Sequence, residues 1–97
     1  MRLLIPLLLL LLTTASAEDL SQQQARELVS QGKILPLSEI LEKARTHFKG
    51  RLLEVELEDE KEHGGLVYEL EILDENGKVW ELVFNAVTGE YLGREHD

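Results

Sequence analysis

The sequence predicts an α+β domain in which two N-terminal helices pack on a four-stranded antiparallel meander sheet. Apolar residues recur at helical spacing within residues 21–49. After residue 50, apolar and polar residues alternate as in strands, and short polar turns separate the alternating segments. Helices that precede a run of strands indicate a two-layer α+β arrangement. A chain of 97 residues is long enough for one small domain, which we place at residues 18–97.

The segment before this domain, residues 1–17, has the pattern of a secretory signal peptide. Arg2 precedes the apolar run 3–12, and the small residues Ala15, Ser16 and Ala17 follow. The run is shorter than the roughly 20 apolar residues that a membrane span needs. We therefore expect cleavage after Ala17, a periplasmic or secreted protein, and no stable membrane insertion after cleavage. A retained N-terminal anchor is the alternative.

Two helices are expected. Ser21 and Gln24 have the spacing of a capping box, and Gly32 suits the end of a first helix. A second helix opens at Pro36 or Ser38 and ends at Gly50. Its apolar face, which should cover the sheet, consists of Leu37, Ile40, Leu41, Ala44 and Phe48.

Four strands are expected after Gly50. The first, 51–58, directs Leu53, Val55 and Leu57 inward, and the polar loop 59–65 follows it. Strands 66–73 and 79–86 form a hairpin, since Asn76-Gly77 supplies the positive φ angles that a tight reversal prefers. Glu90–Leu92 is a short last strand before the charged end 93–97. The large hairpin side chains expected in the core beneath the second helix are Tyr68, Trp80 and Phe84.

Charge and composition exclude several classes of function. The chain carries 10 basic and 19 acidic residues, for a net charge of −9, and loss of the signal peptide with Arg2 makes it more negative. Such a field repels nucleic acid and anionic membranes and favours basic partners or cations. Cysteine is absent, so packing rather than disulfides must stabilise the domain.

No residue pattern indicates catalysis or a cofactor. His47, His63 and His96 lack the mutual spacing of zinc ligands, and no serine has the context of an activated nucleophile. The glycines are explained by turns, without a phosphate-binding pattern. We therefore predict a protein that is not an enzyme and carries no cofactor.

Acidic residues with the strand phase opposite to the core should share the outer face of the sheet, among Val67, Val79 and Val83. Three interpretations stay open: a solvated face, a docking face for a basic partner, and divalent cation binding, for which the loop residues Asp59, Glu60 and Glu62 are the best candidates. The outer-face carboxylates are Glu54, Glu56, Glu58, Glu69, Glu71 and Glu81.

A family resemblance rests on the strings 67–72 (VYELEI), 76–81 (NGKVWE) and 85–92 (NAVTGEYL), with 32–41 and 50–57 upstream. Together they resemble a PepSY domain of the short, exported bacterial kind. The family usually has Asp where this chain has Asn85, so the residue keeps a turn-compatible side chain but loses a carboxylate. The resemblance implies a small non-catalytic domain related to metallopeptidase propeptides.

The residues and the resemblance together predict a non-catalytic interaction module that modulates or inhibits a peptidase, or binds the outer domain of an envelope sensor. The predicted contact residues are Glu54, Glu56, Glu69, Glu71, Glu81 and Tyr91, with the last strand available for strand addition. The alternative is a periplasmic protein that binds a divalent cation, or a small ligand in a pocket beside Trp80.

Overall fold

The computed structural model describes residues 17–96 and shows two helices packed on one face of a five-stranded antiparallel sheet. The strands follow one another in the sheet in sequence order. Residues 1–16, and with them nearly all of the predicted signal peptide, lie outside the described residues. The elements are β1 Ala17–Asp19, α1 Gln22–Ser30, α2 Leu37–His47, β2 Arg51–Glu60, a 3-10 turn Lys61–His63, β3 Gly65–Leu73, β4 Val79–Asn85 and β5 Tyr91–His96.

The predicted helix pair followed by a four-stranded meander is confirmed, and β1 adds a short edge strand to it. Asp19 pairs with Glu58 of β2, and the Leu20 amide donates to the Leu57 carbonyl at 2.9 Å. A strand of three residues is too short to show the alternation of apolar and polar residues. It is recognised only by its pairing with β2.

Helix α1 begins at the predicted capping box. The Gln24 amide donates to Ser21 Oγ at 3.1 Å, and the Ser21 amide donates to Gln24 Oε1 at 2.9 Å. Gly32, at φ 72°, follows the last turn, and its amide donates to the Val29 carbonyl. No residue of α1 is fully buried, so this helix depends on partial packing of its apolar stripe against the core.

Helix α2 supplies the helical layer of the core. Ile40 is 0% exposed and Ala44 is 3% exposed, against inward side chains of β3 and β4. Tyr68 and Phe84 are buried as predicted, whereas Trp80 is only partly buried, with its indole N–H donating to Asp74 Oδ2 at 2.9 Å. The predicted Asn76-Gly77 turn is present, with Gly77 at φ 83°.

Two irregularities change which residues face inward. The pairing of β2 with β3 shifts between Leu52 and Glu54, so that Leu53 is an extra residue and is 44% exposed. The prediction that Leu53 points into the core was therefore wrong. The last strand is also longer than the predicted Glu90–Leu92, because residues 93–96 continue its pairing with β4 after a second shift at Leu92.

One buried hydrogen bond ties the segment between the helices to the sheet. The Tyr68 hydroxyl donates to the Leu35 carbonyl at 2.7 Å, and Tyr68 is only 4% exposed. Tyr68→Phe should lower the free energy of unfolding by about 1–2 kcal/mol, because the carbonyl loses its buried donor. Urea unfolding measures this change, with Tyr91→Phe as the control. Equal stability of the Tyr68→Phe variant and the wild type would show that this bond contributes nothing.

Candidate functional site

The face of the sheet opposite the helices is lined by carboxylates, and we call it the acidic face. The register places Glu54 opposite Glu71, Glu71 opposite Glu81, and Glu81 opposite Glu95, so one row of glutamates crosses β2 to β5. A second row pairs Glu56 with Glu69, and a third pairs Asp19 with Glu58. The acidic face comprises Asp19, Glu54, Glu56, Glu58, Glu60, Glu69, Glu71, Glu81 and Glu95.

The structure thus brings together all the glutamates that were predicted as contact residues. Asp19 and Glu95 are not among the predicted residues, because a strand as short as β1 shows no alternation and the predicted last strand ends at Leu92. Glu60 was predicted in the loop 59–65, whereas it is the last residue of β2 and belongs with the strand residues. Alternation from the inward-facing Tyr91 would place Glu95 on the helix side, and only the shift at Leu92 turns it to the acidic face.

The centre of the acidic face is shielded from solvent. Val67 is 0% exposed, Val83 is 5% exposed, and Glu58 is 8% exposed. The carboxylate oxygens of Glu58, Glu60 and Glu69 lie within 4.8 Å of one another, and so do those of Asp19, Glu56 and Glu58. These five residues form what we call the carboxylate cluster, in which Glu58 is shared by both groups.

Burial is the main cause of large pKa shifts in this cluster. It raises the pKa of Glu69 to about 10, with hydrogen bonds to Glu60 and Glu58 acting in the same direction. It likewise raises the pKa of Glu58 to about 8. The pKa of Glu60 is lowered, first by its hydrogen bond with Glu69 and further by His63. These shifts favour protonation within the cluster, and they favour it on Glu69 rather than on Glu60.

The shifts extend along the glutamate rows. Burial raises the pKa of Glu81, and the neighbouring charges of Glu95 and Glu71 raise it further. The pKa of Glu56 is also raised, first by burial. Like charges in one partly shielded layer make each further ionisation costlier, so the face as a whole favours any species that brings positive charge.

A recess of about 120 Å³ lies beside the cluster, and its walls include Glu62, His63 and Val83. His63 Nδ1 lies 2.6 Å from Glu60 Oε1, with the ring N–H donating to the carboxylate. Of the three predicted cation ligands, only Glu60 joins a close group of carboxylates. Glu62 lines the recess, and Asp59 pairs with Leu66 and so carries the opposite strand phase.

Comparison with known proteins identifies the family. Residues 34–95 match the family model described as the peptidase propeptide and YPEB domain, PepSY. The chain belongs to the PepSY family. No curated protein and no solved structure shows significant similarity to it. PepSY domains are typically propeptide or inhibitory modules rather than enzymes.

Asn85 has a clear structural role in this PepSY domain. Its Oδ1 accepts from the Val87 amide at 2.8 Å and from the Thr88 amide at 3.0 Å, which fixes the turn between β4 and β5. An amide oxygen accepts these bonds as a carboxylate oxygen would. The substitution of the family's usual Asp is therefore compatible with the turn.

Tyr91 and Trp80 lie away from the acidic face. The Tyr91 ring stacks on His47 at 4.3 Å between centroids and packs near Phe84, which places it on the helix side of the sheet. The Trp80 ring packs against Phe48 at 5.5 Å, and the Arg94 guanidinium lies 4.5 Å from its centre. Tyr91 therefore contributes to the β5 edge through its backbone rather than to the glutamate surface.

No helix within residues 17–96 is long and apolar enough to cross a membrane.

The raised pKa values predict an unusual pH dependence of stability. The folded protein holds protons on Glu58 and Glu69 that the unfolded chain, with a glutamate pKa near 4.5, releases. The free energy of unfolding should therefore fall by about 1–3 kcal/mol as the pH rises from 5 to 9. Urea unfolding at pH 5, 7 and 9 measures this.

Replacing both residues, in Glu58→Gln/Glu69→Gln, should flatten this dependence, because the variant holds no such protons. Glu27→Gln/Glu42→Gln, on exposed helix positions, is the matched control and should keep the wild-type slope. A wild-type stability that increases between pH 5 and pH 9 would contradict the assignment of the protons.

Proposed function

We propose that this PepSY domain is an exported, non-catalytic interaction module whose acidic face docks on a basic surface of an envelope protein. The observation that carries the proposal is the continuous row of glutamates across four strands, Glu54, Glu71, Glu81 and Glu95. An antiparallel sheet with one face on its core leaves the other free for a partner.

Electrostatics favours a basic partner over bare solvent for this face. Like charges directly opposite each other destabilise a sheet. Lysine or arginine side chains of a partner would convert that repulsion into attraction. The net charge of −9 would also steer a basic protein toward the domain from a distance, at a rate that falls with ionic strength.

The β5 edge offers a second contact. Strand order places β5 at the end of the sheet opposite β1, with β4 as its neighbour. An extended segment of a partner could pair with β5 while its basic side chains reach the adjoining glutamate row. Such strand addition supplies backbone hydrogen bonds, and the row supplies charge selectivity.

The class of partner follows from the family. PepSY domains are associated with peptidases, which supports a peptidase that this domain modulates or inhibits. The outer domain of an envelope sensor is the alternative. Export is supported by the signal-peptide pattern of residues 1–17 and by the extracellular or periplasmic setting that is general for PepSY domains.

Charge reversal on the face tests the proposal. We expect Glu54→Lys/Glu71→Lys/Glu95→Lys to abolish recovery of a partner from envelope extract that the wild type captures at low salt and releases at high salt. With the recovered partner in hand, the association rate should fall about tenfold or more, and its salt dependence should flatten.

The matched control is Glu27→Lys/Glu42→Lys/Glu75→Lys, which changes the net charge equally at exposed positions away from the acidic face. It should retain specific capture. If both triple variants lose the partner equally, overall charge and not the acidic face determines binding. If neither loses it, the face is not the contact surface.

Divalent cation binding is a second candidate function, favoured by the carboxylate cluster. Glu58 is 8% exposed, and among residues 17–96 its hydrogen-bond partners are other carboxyl groups. A buried carboxyl without an N–H donor or a cationic partner needs either a proton or a cation. Calcium, which takes several carboxylate oxygens, fits this set of donors better than the histidine and cysteine sites of zinc.

We expect millimolar calcium to raise the melting temperature at pH 8 and to do so less at pH 6, because protons compete for the same oxygens. Thermal unfolding with and without calcium measures this. Glu58→Gln should remove the effect, and the exposed Glu75→Gln should keep it. If calcium raises the melting temperature of both variants equally, the cation binds outside the carboxylate cluster.

A further inference from the structure

A second recess lies on the helix side of the molecule, between α2 and the start of β2. Its volume is about 300 Å³, which lies at the lower end of the range for small-molecule sites. Its apolar walls come from α2, the turn after it, β2 and β3. The apolar lining residues are Leu41, Ala44, Phe48, Leu52 and Ile72.

Two arginines line the same recess. Arg45 and Arg51 are both exposed, and the ion pair found among residues 17–96 joins His63 to Glu60 and involves neither arginine. Residues 43–53 contain four cationic side chains and no carboxylate. This stretch is positively charged, although the chain as a whole has a net charge of −9.

The lining of the recess is partly open to solvent. Leu52 is 39% exposed although it lies on the inward phase of β2, and the bulge at Leu53 interrupts the regular pairing beside it. Gly50 lets the turn approach the sheet closely, since a Cβ at this position would lie 2.5 Å from the Leu73 carbonyl oxygen. This close approach places Arg51 and Leu52 next to the end of α2.

We propose that the recess binds a medium-chain aliphatic carboxylate. The chain would lie against the apolar walls and cover Leu52, while the carboxylate accepts hydrogen bonds from Arg45 and Arg51. At roughly 30 Å³ for each water-sized group, the recess holds about ten non-hydrogen atoms, the number in octanoate.

Charge decides against the other ligand classes. A cation would meet two guanidinium groups, and a neutral chain would gain nothing from their charge. Asp74 and Glu75 lie with Lys49 in an adjoining recess that shares Phe48 as a wall, and no carboxylate lines the recess itself. The binding of an anion at Arg45 and Arg51 is independent of the acidic face, so either proposal can fail without the other.

Octanoate is the probe, titrated into the purified protein and followed by calorimetry and by amide chemical shifts. Shifts should concentrate at Phe48, Leu52 and Ile72. Octanoate should bind at least about tenfold more tightly than octanol, which lacks the charge. It should also bind more tightly than butanoate, by roughly fourfold for each methylene removed.

Arg45→Gln/Arg51→Gln should weaken octanoate binding about tenfold and leave octanol unchanged. Arg26→Gln/Lys33→Gln alters the charge equally at exposed positions outside the recess and is the control. Leu52→Asn, at a partly exposed position, should weaken both ligands. Preserved dispersion of the amide spectrum confirms that each variant is folded.

Three results would overturn the proposal: no localised shifts with millimolar octanoate, equal affinity for octanoate and octanol, or unchanged octanoate affinity in Arg45→Gln/Arg51→Gln.

Discussion

The structure depends on one constraint, which is that a short chain has a single layer of helix to cover a sheet with two faces. The antiparallel register of β2, β3 and β4 directs Leu57, Tyr68, Leu70, Leu82 and Phe84 to the side of α2, where they form the core. The same register necessarily directs the intervening residues to the other side. The properties of the acidic face follow from this arrangement, because α1 and α2 both pack on the opposite side of the sheet.

Packing and electrostatics conflict on that uncovered side. Val67 and Val83 are buried there, and the glutamates around them shield both the valines and one another from water. Shielding is what raises the pKa values of Glu58 and Glu69, since a desolvated carboxylate loses hydration without gaining a countercharge. Protons, a divalent cation and a basic protein surface are three ways of neutralising the same charge. They would compete, so pH and cation concentration would modulate the docking of a partner.

Charge is also segregated between the two sides of the molecule. Carboxylates dominate the outer face, while the stretch from Lys43 to Leu53, which runs from the end of α2 into β2, is cationic and free of acids. The sheet and its core separate the two surfaces. A basic partner on one side and an aliphatic carboxylate on the other would therefore occupy the domain without excluding each other. A PepSY domain built in this way has room for both a protein contact and a small ligand.

The sequence by itself determined the features that depend on neighbouring residues. The capping box at Ser21, the apolar stripe of α2, the turn at Asn76-Gly77 and the alternation of glutamates with core residues are all local patterns, and they predicted the helices, the meander and most of the acidic face. Only the tertiary structure decided what depends on residues distant in sequence. It added β1, moved Leu53 out of the core, extended β5 to include Glu95, and brought Glu58, Glu60 and Glu69 together. It also placed Arg45 and Arg51 at one apolar recess. Each of these results depends on register shifts, strand partners or solvent exclusion, which arise only when distant segments pack against one another.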